Sequence, residues 1–481
     1  MGIMERAKYR PILHFTPKQH WLNDPNGLIY FEGEYHLFYQ YHPHSSIWGP
    51  MHWGHAVSKD LITWEELDIA LYPDEHGYAF SGSAVVDWNN TSGLFPEKPG
   101  IVAVYTSHLE PTEASPSVQR QSLAYSQDNG RTWIKYAGNP VLTHPSKADF
   151  RDPKVFWSEA HGKWVMVLAT DQTITFYSSP NLRDWRLESE FGEGAGSHDA
   201  VWECPDLFQL PVEGTGDSKW VLLVSIGDNS GQRYGSRTQY FVGEFDGSVF
   251  TPEHSDIRWL DYGKDNYAGV SFSGIPAADG RRIFIGWMNN WRYANHIPSQ
   301  GWRGAMTVPR VLTLHAAEGR TLIRQQPVAE LDRYFAETAA LPDMLLTPGE
   351  HRYLSSKASA MELRLELENN EAEQFGLIIH HTDTEHTELI YSAAEGILAL
   401  RRDQSGETGF SEIFPDLQST GRMGSLKNLR ILLDACSVEV FANDGLSAIT
   451  SLVFPGDACT GLTFYSTGGS VQLRGNQSFI R

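Results

Sequence analysis

Three acidic residues stand out because each opens the same local pattern. Asp24-Pro25, Asp152-Pro153 and Glu203-Cys204-Pro205 each lead into an apolar run, a glycine-containing turn and a second apolar run. Carboxylates brought to one place can attack a carbon centre, carry a proton or accept hydrogen bonds from hydroxyls. A single Asp before proline has a plainer use, which is to cap its own turn through the side chain. Three in a repeated pattern shift the balance toward chemistry. Glu203 breaks the Asp series, and its longer side chain suits a different task.

The repeat also describes the elements that would position these acids. The first copy runs Asp24–Tyr30, turns at Glu32-Gly33-Glu34 and returns over Tyr35–Tyr39. The second runs Asp152–Trp157, turns near His161-Gly162-Lys163 and returns over Trp164–Leu168. The third runs Glu203–Phe208, passes a loop with Gly214 and Gly216, and returns over Trp220–Val224. Ser81–Val86 with Ile101–Tyr105 forms a degenerate fourth copy. Between copies lies a second signature, a polar turn closed by tryptophan: Ser58–Trp64, Ser126–Trp133 and Ser178–Trp185. It reads as the hairpin between the outer strands of one unit.

A period near 60, short β-branched and aromatic strands, and Gly/Asn/Asp turns predict a β-propeller, and about 320 residues make about five blades. Radial repetition brings the starts of the innermost strands to one mouth of the central channel. It places Asp24, Asp152 and Glu203 at equivalent positions there, although they are far apart in sequence.

The periodicity changes near Gln325-Gln326-Pro327. Residues Pro327–Ala340 are predicted helical, with proline in the first turn and Val328, Leu331, Tyr334 and Phe335 at helical spacing. Beyond Thr347-Pro348-Gly349 the chain alternates again. Met361–Leu367 has the period of a half-buried strand. Val438–Ile449 reads as a hairpin around Asp444-Gly445. The expected fold is all-β: a five-bladed β-propeller over 1–326, a linker with a short helix over 327–349, and a C-terminal β-sandwich over 350–481.

Composition narrows the partners. Among 481 residues, 38 Lys and Arg stand against 59 Asp and Glu, a formal net charge of −21. Such an excess repels phosphate backbones and anionic lipid heads, so neither nucleic acid nor a membrane surface is expected as partner. Cys204, Cys436 and Cys459 do not make a disulfide framework. The 19 histidines lack ligand spacing, and neither a Gly-rich phosphate loop nor a Ser-centred nucleophile elbow occurs, so neither metal nor cofactor is expected. Met1–Lys8 lacks the apolar segment of a signal peptide. The expectation is a cytoplasmic protein, or a secreted one whose leader has been removed.

Trp21-Leu22-Asn23-Asp24-Pro25-Asn26-Gly27, Phe80-Ser81-Gly82-Ser83, Arg151-Asp152-Pro153 and Glu203-Cys204-Pro205, in this order, resemble glycoside hydrolase family 32, the family of invertases, inulinases and levanases. The likeness extends over Arg10–Gln40, Trp48–Leu71, Tyr262–Ala268, Ile285–Arg310 and Leu429–Phe441, and so over both proposed domains. It implies the propeller-and-sandwich fold and retaining hydrolysis of terminal β-fructofuranosides. Carried over by position, Asp24 is the nucleophile and Glu203 the general acid/base. Asp152, beside Arg151, holds fructose hydroxyls, and Arg151 is expected to keep it ionised. The same resemblance makes Trp21, Asn23, Gln40, Trp48, Phe80, Ser81, Arg151 and Trp291 substrate-binding residues. Cys204 is read as a small buried neighbour of the acid.

Asp261–Ala268 and Gly286–Asn295 look more like exo-acting fructanases than plant invertases. Leu22 departs from the commoner methionine of the first motif. The expected activity is an exo-β-fructosidase on sucrose or fructans of inulin or levan type. Alternatives are a fructosyltransferase, an arabinan-acting enzyme on a five-bladed fold, and a non-catalytic fructan-binding module. A homodimer through the sandwich is left open.

Overall fold

The structure, a computed structural model, describes residues 7–113, 115–317 and 319–480. Five antiparallel sheets follow one another along the first two thirds of the chain. Their innermost strands are His20–Phe31, Tyr78–Val86, Phe150–Ser158, Trp202–Pro211 and Tyr267–Ser271. Each packs on its neighbours in a ring, the fifth against the first, so the sheets are blades of a closed propeller. Trp302–Arg303 adds a short parallel edge to His20–Trp21 and links the fifth blade to the first. Blades pack face to face through apolar side chains, such as Val167 and Phe176 of the third against Leu222 and Val224 of the fourth.

The tryptophan-closed signatures are the turns after the third strand of the first three blades. Trp64, Trp133 and Trp185 each donate the indole N–H to a carbonyl three residues earlier, at 2.9–3.0 Å. The residue supplying that carbonyl is Leu61, Gly130 or Leu182, always at positive φ. The same hydrogen bond recurs because these three blades make the same reversal.

The remaining strands form two six- or seven-stranded sheets that enclose Leu363, Leu365, Ile431 and Val440 against Leu377, Ile379, Leu389 and Phe464. Met361–Glu368 is a central strand, and Ser437–Ala442 pairs with Ser447–Leu452 around the expected turn. The helical expectation for Pro327–Ala340 fails. Only Ala329–Tyr334 turns, as a 3₁₀ segment, and Phe335–Ala340 is a strand paired with the final strand, Val471–Ile480. Backbone pairing with a segment at the far end of the chain overrides a local spacing that fits a helix. Among the described residues no helix is long and apolar enough to cross a membrane.

The sandwich is clamped to the propeller by buried ion pairs. Arg310 donates to Asp261 at 3.0 Å and to Glu439 at 2.6 Å. His14 sits between Asp434 and Glu439, and Arg402 donates to Asp265 at 2.6 Å. Asp261 and Asp265 belong to the run that leads into the innermost strand of the fifth blade. The sandwich therefore anchors one wall of the channel mouth.

Candidate active site

All five innermost strands carry a bulge at the same level. Pairing with the second strand skips after Leu22, Ala79, Arg151, Glu203 and Tyr267, leaving two residues opposite one. The extra residues are Asn23-Asp24, Phe80-Ser81, Asp152-Pro153, Cys204-Pro205 and Ala268-Gly269. Asp152, Cys204 and Ala268 take positive φ of 64°, 45° and 53° there, an unfavourable conformation for residues with a Cβ. A bulge bends the strand and re-aims its side chains, and it tolerates a proline that cannot donate to the ladder. The acid-proline pattern is thus the local signature of a bulged strand start.

The ladder corrects one expectation. The three acids are not equivalent: Asp24 is the second extra residue of its bulge, Asp152 is the first, and Glu203 is the last paired residue before one. The true counterparts of Glu203 are Arg151 and Tyr267 in the adjacent blades. Both touch it. Arg151 Nη2 donates to Glu203 Oε1 at 3.0 Å, and the Tyr267 hydroxyl donates to Glu203 Oε2.

The three acids converge on one cavity of about 250 Å³, lined also by Asn23, Gln40, Trp48, Phe80, Ser81, Arg151 and Trp291. That is the space of roughly eight waters at ~30 Å³ each, enough for a single sugar ring. Asp24 is held by Ser81 Oγ at 2.7 Å and by Asn23 Nδ2 at 2.9 Å. Asp152 Oδ2 accepts the Cys204 N–H at 2.9 Å, and the Asp152 N–H donates to Thr106 Oγ1 at 3.0 Å. Cys204 Sγ lies 3.5 Å from Oδ2 of both Asp24 and Asp152. Phe80 is stacked on His108 with ring centroids 4.2 Å apart. Trp48, at the rim, donates its backbone N–H to Asn295 Oδ1 at 3.0 Å. Gln40 Nε2 donates to the Ala79 carbonyl at 3.0 Å.

Trp21 does not line the cavity. It is fully buried behind the wall, donating from its indole to Asn23 Oδ1 at 2.7 Å and stacking on Trp291. It reaches the cavity only through Asn23, whose amide it orients. Sequence reading missed Tyr267, Thr106 and His108. Tyr267 had a usable signal, since it lies in the run Asp261–Ala268 and begins the inner strand of the fifth blade, the one blade for which no copy of the repeat was read.

Burial shapes the electrostatics. It pushes the Asp152 carboxyl up to about 7; Arg151 opposes this, while Glu203 and Asp24 add to it. Arg151 lowers the Asp152 carboxyl in the expected direction, but not enough to return it to the ordinary carboxylate range. The guanidinium stands 3.9 Å from Asp152 but is hydrogen-bonded to Glu203, and burial outweighs it. Asp24 is also raised, first by burial and then by Glu203, against the hydrogen bond from Ser81. Burial and the surrounding carboxylates raise the Cys204 thiol well above its ordinary value, so it stays a neutral thiol and no thiolate nucleophile.

The match to known proteins covers the whole length. The N-terminal domain of glycosyl hydrolases family 32 matches residues 14–327, and the family's C-terminal domain matches residues 330–479. The chain belongs to glycosyl hydrolases family 32. It is 48% identical to a levanase of Bacillus subtilis over 97% of this chain and 69% of that protein. It is 38% identical to an extracellular exo-inulinase of Aspergillus niger over 96% of this chain and 93% of that one. Against the crystal structure of the Aspergillus awamori exo-inulinase the TM-score is 0.89, with 35% identity and 98% of each chain covered. The family-32 enzyme thus carries both domains in the order read from its sequence.

Proposed function

We propose that this family-32 enzyme is a retaining exo-β-fructosidase that releases terminal β-D-fructofuranosyl units from sucrose and from fructans of inulin or levan type. The observation that carries the reading is the convergence of Asp24, Asp152 and Glu203 on a cavity the size of one sugar ring. The levanase and exo-inulinase names of its relatives favour water as the acceptor over a second sugar.

In the first step Glu203 gives its proton to the glycosidic oxygen while Asp24 attacks the anomeric carbon. The carbon–oxygen bond to the leaving group breaks and a fructosyl ester of Asp24 forms. In the second step Glu203 takes a proton from water, the water oxygen attacks the same carbon, and Asp24 leaves. Ser81 and Asn23 donate to Asp24 and hold it in line for attack. Arg151 and Tyr267 fix the plane of the Glu203 carboxyl. Asp152 accepts hydrogen bonds from sugar hydroxyls on the opposite wall. Trp48, Phe80 and Trp291 supply aromatic faces for the ring's C–H surface.

The test is incubation with sucrose, inulin and levan, with chromatography of the products. Free fructose as the earliest product, in the β configuration by NMR, is expected. Early oligosaccharides, or no fructose at all, overturn the reading. Asp24→Ala and Glu203→Ala should each lose at least ~10²–10⁴ of turnover while keeping the fold. Fractionation of the source cells then shows whether the enzyme meets polymer outside the cell or short sugars within.

A further inference from the structure

The innermost strands all run in one direction, so the acids gather at their starts and a second opening lies at their ends. That opening holds a cavity of about 500 Å³, twice the volume of the acid pocket. From Asp152 to Phe156 is four residues, roughly 13 Å along the strand. The two cavities therefore open on opposite ends of the channel.

The walls of the second cavity are aromatic. Trp88 stands at the rim, 61% exposed, and Phe156, Trp157 and Trp220 are each only partly covered. Trp88 leans on Phe31, ring centroids 5.8 Å apart, and is otherwise open to solvent. The floor is polar. Lys154 is paired with Asp206 at 3.1 Å, but Arg282 has no ion-pair partner among the described residues. The Arg282 guanidinium lies 4.9 Å over the Phe208 ring and reaches only the Phe272 carbonyl at 3.3 Å and Ser271 Oγ at 3.5 Å. Gln209 adds an exposed amide on the same wall.

Flat aromatic faces beside the guanidinium and amide donors match a sugar ring, which has an apolar C–H face and a rim of hydroxyls. We infer that this opposite mouth is a second, non-catalytic binding site for a fructofuranosyl unit of the polymer. Resting as it does on the fructosidase reading, the inference adds a place where the polymer is held while its ends are cut at the other mouth. Holding the polymer raises the local concentration of ends without touching the chemistry. An anion alone would use Arg282 but has no need of a tryptophan rim, and a net charge of −21 opposes its approach.

Trp88 and Gln209 are exposed, so Trp88→Ala and Gln209→Ala should leave the fold and sucrose turnover unchanged. Migration through gels containing levan should be less retarded in the double variant. Its KM for levan should rise at least ~fivefold, with kcat on levan unchanged. Retardation and levan KM equal to wild type overturn the inference, as does an equal loss on sucrose. Displacement of levan by inorganic phosphate would assign the cavity to an anion and overturn it too. If the wild type releases no fructose yet is retarded through Trp88, the fructosidase reading fails while the second site stands.

Discussion

Asp152 at the channel mouth and Asp261 at the seam with the sandwich are buried to a similar depth, and they titrate in opposite directions. Asp261 and Glu439 at the seam would be raised by burial, but Arg310 and, for Glu439, His14 overcome it and hold both below the ordinary range. At the mouth, three acids share one guanidinium, and burial wins for Asp24 and Asp152. For Asp152 and Asp261 the depth is alike; the supply of cations differs. The seam is neutralised and serves stability. The mouth is left short of positive charge, a costly arrangement that persists where chemistry needs proton-holding groups at neutral pH.

The comparison can be broken most severely at the seam. Arg310→Ala leaves Asp261 and Glu439 buried without their cation, at a cost of about 3–5 kcal/mol in chemical denaturation. A loss no larger than that of an exposed arginine would mean the seam is not the compensated region described.

The mouth should respond with the other sign. Asp152→Asn removes a carboxyl whose folded value lies near 7, above its unfolded one. Its ionisation therefore costs nothing below about pH 4, and the cost grows up to about pH 7 and stays at its maximum above. The variant should gain on the order of 2 kcal/mol at pH 8 and nothing at pH 3.5, while losing turnover. Equal stability at both pH values would remove the contrast.

His14 sharpens the picture at the seam. Burial lowers it, but Asp434 and Glu439 raise it to about 9. Its contribution is fully present below pH 6.5 and is lost as pH rises through 9. Thermal unfolding of the wild type should decline across that window, by about 1–3 kcal/mol, and His14→Gln should flatten the decline. The smallest effect belongs to Ser81→Ala. Without the hydroxyl that favours its ionised form, Asp24 takes up its proton at higher pH, and the acid limb of kcat/KM should move up by less than ~1 pH unit.

The hairpin repeat was legible because its cues are local. Acid-proline pairs mark bulged strand starts, and polar turns closed by Trp64, Trp133 and Trp185 recur at the same reversal in the first three blades. The turn around Asp444-Gly445 was read for the same reason. Pro327–Ala340 was misread because its strand partner lies in Val471–Ile480, which no local window contains. Tyr267 escaped notice because its partner Glu203 is 64 residues away. The offset among Asp24, Asp152 and Glu203 escaped notice because a shared proline hides a difference in ladder position.

Residue order alone thus determined four of the hairpin repeats, the count of about five blades from their period, and the propeller-then-sandwich order, and it singled out the three acids, since turn chemistry and period-two patterning act over a few neighbours. The folded molecule decided which group each acid faces, that Arg151 serves Glu203 more than Asp152, and that a second aromatic mouth exists. Those are matters of distance and desolvation between segments far apart in the chain, and they take definite values only once the ring of blades has closed.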